Sequence, residues 1–194
     1  MRHPVQLHVE RQEAPSRIHV VVRLVLLVAV GAIGCGPVYW LAYLASPAVV
    51  ALAILQRGAG RYLAEDAPRI TRALRWLASA LAYLSLLTDA PPAAEPGPVE
   101  LVIEPGGAPT AGTALLRLVT SLPAVLLVVV LSIVAPVLWL VGAVCILVSR
   151  NLPGVIRDFM ALTLRSQLRL LAYHLSLVDA YPSVHDDRVA HAAT

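Results

Sequence analysis

Two long apolar windows divide the chain, and shorter stretches mixing charged and apolar residues flank them. No charged residue falls between Leu24 and Gln56 or between Leu118 and Ser149, windows of 33 and 32 residues. Drawn as one helix at about 1.5 Å per residue, either window is roughly 50 Å long, against a hydrocarbon core of about 30 Å. The pattern therefore predicts two crossings per window. Breaks are expected at Gly34-Cys35-Gly36-Pro37 and near Ala135-Pro136, where glycine permits a tight turn and proline interrupts a helix. Two transmembrane helical hairpins follow, near residues 18–56 and 114–149, with about four transmembrane helices in total. Re-entrant half-helices are the alternative, because two full spans need about 40 residues. The polar opening with Glu10 and Glu13 argues against a cleaved signal peptide.

Outside the windows the periodicity changes. Val5, Leu7 and Val9 fall at every second position, as do Val99, Leu101 and Ile103, and each run reads as a short strand. Pairing of the two strands with each other and two separate extended lead-ins both fit this pattern. After each window the spacing is helical. Glu65, Arg69, Arg72, Ser79 and Tyr83 share one face near residues 66–88, with Ile70, Leu74, Leu77 and Leu81 opposite. Near residues 153–178, Asp158, Arg165, Arg169, Tyr173 and Ser176 oppose Leu164, Leu168, Leu171 and Leu175. Such helices suit the membrane interface, where Arg69, Arg72, Arg165 and Arg169 are candidate anionic-headgroup contacts. Packing on the hairpin or on a partner is the competing reading.

The same order occurs twice. Pro4-Val5-Gln6-Leu7 recurs 94 positions later as Pro98-Val99-Glu100-Leu101, and Arg23-Leu24-Val25 recurs as Arg117-Leu118-Val119. Further on the offset is 90, with Ala82-Tyr83 matching Ala172-Tyr173 and Asp89-Ala90 matching Asp179-Ala180. The expected fold class is an all-α membrane protein of two tandem repeats, each a strand, a hairpin and an amphipathic interfacial helix. The first repeat covers 1–90, a linker 91–97, the second repeat 98–182 and a flexible tail 183–194.

Composition supports a membrane protein: 58% of residues are hydrophobic, 14% are charged and the mean hydropathy is +0.75. All 15 basic residues are arginine, and a net charge of +3 spread along the chain does not make a nucleic-acid surface. The arginines precede or follow the windows and avoid the expected turns. By the positive-inside rule this predicts a multi-pass protein of the bacterial cytoplasmic (inner) membrane with both termini cytoplasmic.

The run Arg150-Asn151-Leu152-Pro153-Gly154 through Asp158-Phe159, with Arg165, Tyr173 and Asp179-Ala180-Tyr181-Pro182, resembles the domain-of-unknown-function 4389 family of bacterial membrane proteins. Gly60-Arg61-Tyr62, Arg75-Trp76, Tyr83 and Thr88-Asp89 carry the resemblance in the first repeat, so two tandem copies are expected. The first departs from the pattern at Leu63 or Ala64, where proline is usual, and at Pro91, where tyrosine is usual. The resemblance implies the architecture and assigns no activity.

Catalytic chemistry is not expected. Cys35 and Cys145 have no metal or dithiol spacing, and no phosphate loop, nucleophile elbow or paired carboxylate is present. His185, Asp186, Asp187 and His191 read as a solvated tail rather than a metal site, and no cofactor is predicted. What recurs is charge at the window edges. Asp89 and Asp179 follow their helices, where the dipole is unfavourable to an anion, so each needs a cation. Arg23 or Arg61 is the expected partner of Asp89, and Arg117 or Arg150 that of Asp179; Tyr83 and Tyr173 are further candidate structural or interface residues. These pairs would latch each amphipathic helix to its hairpin.

The leading expectation is a non-catalytic polytopic scaffold or accessory subunit of a larger membrane assembly, contacting membrane lipids and other membrane-protein subunits or further copies of itself. Gly31, Ala32, Gly34, Gly142 and Ala143 would permit the close helix approach an oligomer uses. A pore or transport component and a membrane-surface binder of anionic lipid are the alternatives, and no nucleic-acid partner is expected.

Overall fold

The structure, a computed structural model, describes residues 3–12, 15–32, 35–92 and 97–183, with the side chains of 35–40 and 42 not described. The order is β1 (Val5–Val9), α1 (Arg17–Ala32), α2 (Cys35–Arg57), α3 (Ala59–Arg61), a π-helical segment (Tyr62–Asp66) and α4 (Ala67–Leu84). Then follow β2 (Val99–Ile103), α5 (Ala111–Thr120), α6 (Leu122–Ser149) and α7 (Gly154–His174).

The two strands pair antiparallel, with Leu7 opposite Leu101 at the centre and Val5 opposite Ile103 at one end. The alternation of each run is thus used twice: Val5, Leu7, Leu101 and Ile103 are buried on one face of the ribbon. An isolated two-stranded ribbon is marginal in water, and here α4 packs against β2 and α7 against β1. Arg75 Nε donates to Leu101 O at 3.2 Å and Arg169 Nε to Val5 O at 3.3 Å, so each strand is held by an arginine from one helix.

The helices cross between the halves of the chain: α1 packs on α6, α2 on α5, and α4 meets α7. The ribbon and these pairings place β1, α1, α2 and α4 opposite β2, α5, α6 and α7. α4 and α7 end alike. Leu87 N donates to Ala82 O and Leu86 N to Tyr83 O, while Leu177 N donates to Ala172 O and Ser176 N to Tyr173 O. Each is a Schellman turn with a left-handed residue, Leu86 at φ 65° and Ser176 at φ 53°.

Four transmembrane helices are not found. Among the described residues one helix, α6, is long and apolar enough to cross a membrane. The second window does not fold into a hairpin, and its break lies at Ser121 rather than near Ala135-Pro136. Pro123 is the physical reason, because it stands two residues inside α6, donates no N–H and crowds the carbonyl four residues back. Pro136 lies within α6 without ending it. Its missing donor falls opposite Ser132, whose side chain accepts from Gln167 Nε2 at 3.2 Å. In the first window α1 ends at Ala32 and α2 starts at Cys35, within the expected turn, so that Gly36 and Pro37 lie inside α2; Gly34 falls outside the described residues. The 16 residues of α1 fall short of a full span.

α7 also departs from the interfacial reading. It runs back along α6, and Leu168 through His174 are all buried, on every side of the helix. Gly142 and Ala143 of α6 are buried against it; a Cβ at Gly142 would come within 2.9 Å of Leu152 Cδ1. These small residues therefore serve packing inside the chain. Gly31 and Ala32 are exposed, with open space around Gly31. The tail from 184, including His185, Asp186, Asp187 and His191, lies outside the described residues.

Candidate functional site

The repeated charges converge at two places, one in each half. Arg23 of α1 is wholly buried, and its Nη2 donates to Asp89 Oδ1 at 2.6 Å and to Thr88 O at 2.5 Å. Its guanidinium lies 4.6 Å from the centre of the Tyr83 ring, whose π face favours a cation. Asp89 follows the Schellman turn of α4, so the turn aims its carboxylate at α1. There Oδ2 also accepts from Ser16 N at 2.7 Å and from Gln12 Nε2 at 2.5 Å. Gln12 Oε1 accepts in turn from Asp89 N at 3.0 Å. The carboxylate thereby holds the lead-in to α1, whose positive end compensates an anion poorly placed on its own helix. Arg23 Nε and Nη1 are buried without a hydrogen-bond partner, which makes its single carboxylate more consequential.

The second half repeats the plan with different completeness. Arg117 Nη2 donates to Asp179 Oδ1, and Nη1 donates to Tyr173 O and Val178 O, both at 2.7 Å. The Tyr173 ring lies 4.7 Å from the guanidinium carbon. Here backbone carbonyls supply much of the partnering, and the Asp179 side chain is 54% exposed against 11% for Asp89. Gly107 stands at φ 94°, and a Cβ there would collide with the Asp179 carboxylate. Thr120 Oγ1 bonds the Tyr173 hydroxyl at 3.0 Å, the place that His19 Nδ1 takes at Tyr83, also at 3.0 Å.

The other expected partners stand elsewhere. Arg61 Nε bonds Glu65 at 3.0 Å on an exposed face, and Arg150 caps α6 in the left-handed region at φ 54° with its side chain exposed. Of the four headgroup candidates, Arg69 and Arg72 are exposed on α4 and Arg165 is half-buried. Arg169 is a correction. It is 2% exposed and donates to Val5 O and to Ser183 O, so it clamps the ribbon and cannot reach lipid headgroups.

One buried polar site was not foreseen. His174, 0% exposed, places Nε2 2.8 Å from Ser121 Oγ and Nδ1 3.4 Å from Tyr43 O. The Nδ1–H tautomer fits both contacts, donating to Tyr43 O and accepting from the Ser121 hydroxyl. Tyr43 O is available because Pro47, four residues on, has no N–H; Ser46 Oγ also donates to it at 2.7 Å. Burial pushes the His174 pKa below 6.5, the Tyr43 carbonyl opposes that shift, and the Arg117 charge adds to it. A proline inside an apolar helix was the available signal for this acceptor.

Tyr62 is the other perturbed group. Its hydroxyl donates to Leu175 O, and burial, with the Asp66 charge adding to it, pushes its pKa up to about 12, so it stays a neutral donor. Among the described residues no three His, Cys, Asp or Glu side chains are grouped to hold a metal ion.

This geometry is that of a helical protein with internally paired charges and, among the described residues, one membrane-length apolar helix. Residues 112–185 match the family model described as Domain of unknown function (DUF4389). The match covers one copy, in the second half, and not the two tandem copies expected. No curated protein and no solved structure matches the chain.

Proposed function

We propose that the chain is a non-catalytic membrane scaffold, an accessory subunit of a larger assembly in a bacterial inner membrane, arisen by duplication of a strand-and-helices unit. The observation that carries this reading is the division of surface from interior. Val28, Ile133, Val137 and Val148 are 64, 69, 62 and 74% exposed and belong to a broad apolar surface on α1 and α6. Leu44, Leu52, Leu116 and Val119 extend it over α2 and α5. A monomer in water rarely exposes so much contiguous apolar area, whereas a bilayer covers it without cost. The polar chemistry meanwhile is directed inward: Arg23, Arg117, Arg169 and His174 serve backbone carbonyls, carboxylates and a hydroxyl of the same chain.

In this proposal Arg17, Arg57, Arg61, Arg69, Arg72 and Arg150 lie at the cytoplasmic headgroup level, beside the ends of the apolar helices. A pore selected by arginine rings loses Arg23 and Arg117 to their latches. Lipid binding keeps a basis on α4 alone, where Arg69 and Arg72 face outward. The scaffold reading is tested by extraction in mild detergent followed by mass spectrometry of what co-purifies. A membrane protein recovered in fixed stoichiometry, and lost when Asp89 and Asp179 are both reversed to arginine, is the expected result. Recovery of the chain alone from native membranes would refute the accessory-subunit role.

A further inference from the structure

A groove of about 480 Å³ lies between the end of α2, the π-helical segment and the start of α4, and neither latch uses it. Its size falls within the roughly 300–1,000 Å³ of small-molecule sites. Val49, Leu52, Ala53 and Ile70 give it an apolar lining, and Arg57, Asp66 and Arg69 bring charge to the same groove. The charges are unequal in status. Arg57 Nη1 stands 3.3 Å from Asp66 Oδ1, so those two compensate each other. Arg69 is exposed, and among the described residues no acid or carbonyl engages its guanidinium.

The π-helical segment is what shapes this place. Its wider turn carries Tyr62 and Asp66 into the groove, and the hydroxyl of the 1% exposed Tyr62 fastens the segment to Leu175 O. An apolar trough with a single uncompensated guanidinium complements an amphiphile with one negative charge, and a planar guanidinium matches the two free oxygens of a phosphodiester. We propose that the groove holds one anionic phospholipid, an acyl chain along Val49, Leu52 and Ala53 and its phosphate on Arg69. The ligand is a lipid rather than a free anion because the lining is mainly apolar and runs on into the exposed faces of Val49 and Leu52. The inference rests on the reading that these faces meet the bilayer.

The test uses the full chain reconstituted in phosphatidylcholine bilayers doped with phosphatidylglycerol, with native mass spectrometry counting the lipid retained after transfer to detergent. Wild type is expected to retain one phosphatidylglycerol. Arg69→Gln should lower its occupancy roughly tenfold, as loss of a charge-assisted pair does. Ala53→Phe, which fills the trough, should abolish retention, and Arg72→Gln, on the same helix outside the groove, should change it less than about twofold. Circular dichroism melts identify a variant that has lost its fold, and Arg69→Gln is on an exposed side chain. Equal losses for Arg69→Gln and Arg72→Gln, full retention in Ala53→Phe, or displacement by inorganic phosphate alone would each overturn the site. Flotation with pure phosphatidylcholine vesicles reads the underlying membrane reading separately. A wild type that does not float defeats that reading, whereas one that floats but retains phosphatidylglycerol independently of Arg69 defeats only the lipid site.

Discussion

The two latches join the same residue types with different exposure, and their responses to the same substitution should differ. Asp89→Ala leaves the fully buried Arg23 without its carboxylate while two of its nitrogens already lack partners, and should cost roughly 3–5 kcal/mol. Asp179→Ala should cost about 1 kcal/mol, because Asp179 is half exposed and Arg117 keeps the carbonyls of Tyr173 and Val178. Denaturant unfolding in one detergent checks the order, and equal losses would contradict it. Ser176 offers the opposite sign. It holds a left-handed φ of 53° with a buried hydroxyl that has no partner, so Ser176→Gly should raise stability by about 1 kcal/mol, read as a higher Tm. His174 introduces a pH dependence. The folded protein holds it neutral to a lower pH than the unfolded chain, whose histidine titrates near 6.5. Its contribution is therefore complete above that pH and is lost as pH falls toward the folded value, by at most about 1.4 kcal/mol per pH unit. His174→Leu should flatten that part of the stability profile below pH 6.5. A profile unchanged from wild type would remove His174 as its source.

Gly107 shows how an element's lead-in can be as constrained as its core. It combines φ 94° with direct apposition to the Asp179 carboxylate, so Gly107→Ala must both strain the backbone and displace Asp179. The expected loss, roughly 2–4 kcal/mol, should exceed that of Asp179→Ala itself, and thermal melts of both variants compare them. Alternation marked both strands and 3.6-residue spacing marked α4 because each buries one face, a demand that periodicity records directly; the same spacing marked α7 but not the burial of its last turns on every side. The aspartate–arginine pairs were legible for a similar reason, since an anion at a helix C-terminus requires a cation within reach. Two candidates per aspartate stood open, and only the packing of α1 on α4 and of α5 on α7 selects Arg23 and Arg117 over Arg61 and Arg150. Helix number was not legible. Window length counts apolar residues but not what they face: in the second window Pro123 separates α5 from α6, and one side of α6 is covered by α7. The burial of Arg169 was hidden likewise, because its acceptor, Val5 O, lies on a strand 164 residues away.

The family match at residues 112–185 falls almost wholly within the second half, yet the contacts that hold that half come largely from the first. β2 has β1 as its partner, α5 packs along α2, and Arg169 of α7 donates to Val5 O. In return Arg75 of α4 holds Leu101 O, and Trp139 of α6 donates its indole N–H to Leu84 O at 2.7 Å. Neither half closes its own core, since Val5, Leu74, Ala78 and Ala82 share one cluster with Ile103, Val128, Leu164 and Leu168. Residues 98–194 expressed alone should therefore lack a stable monomeric fold, with β2 unpaired and the Arg169 guanidinium buried without its strand carbonyl. Co-expression with residues 1–92 should restore protease protection of both fragments and a one-to-one complex in detergent, because the contacts between the halves among the described residues are non-covalent. Limited proteolysis with size-exclusion chromatography reads both outcomes. A second half that is protected and monomeric by itself would show that the crossed helices are dispensable. Half-to-half closure is thus the property on which the proposed scaffold depends: a partner that grips either half also bears on the ribbon and the crossed helices that join it to the other.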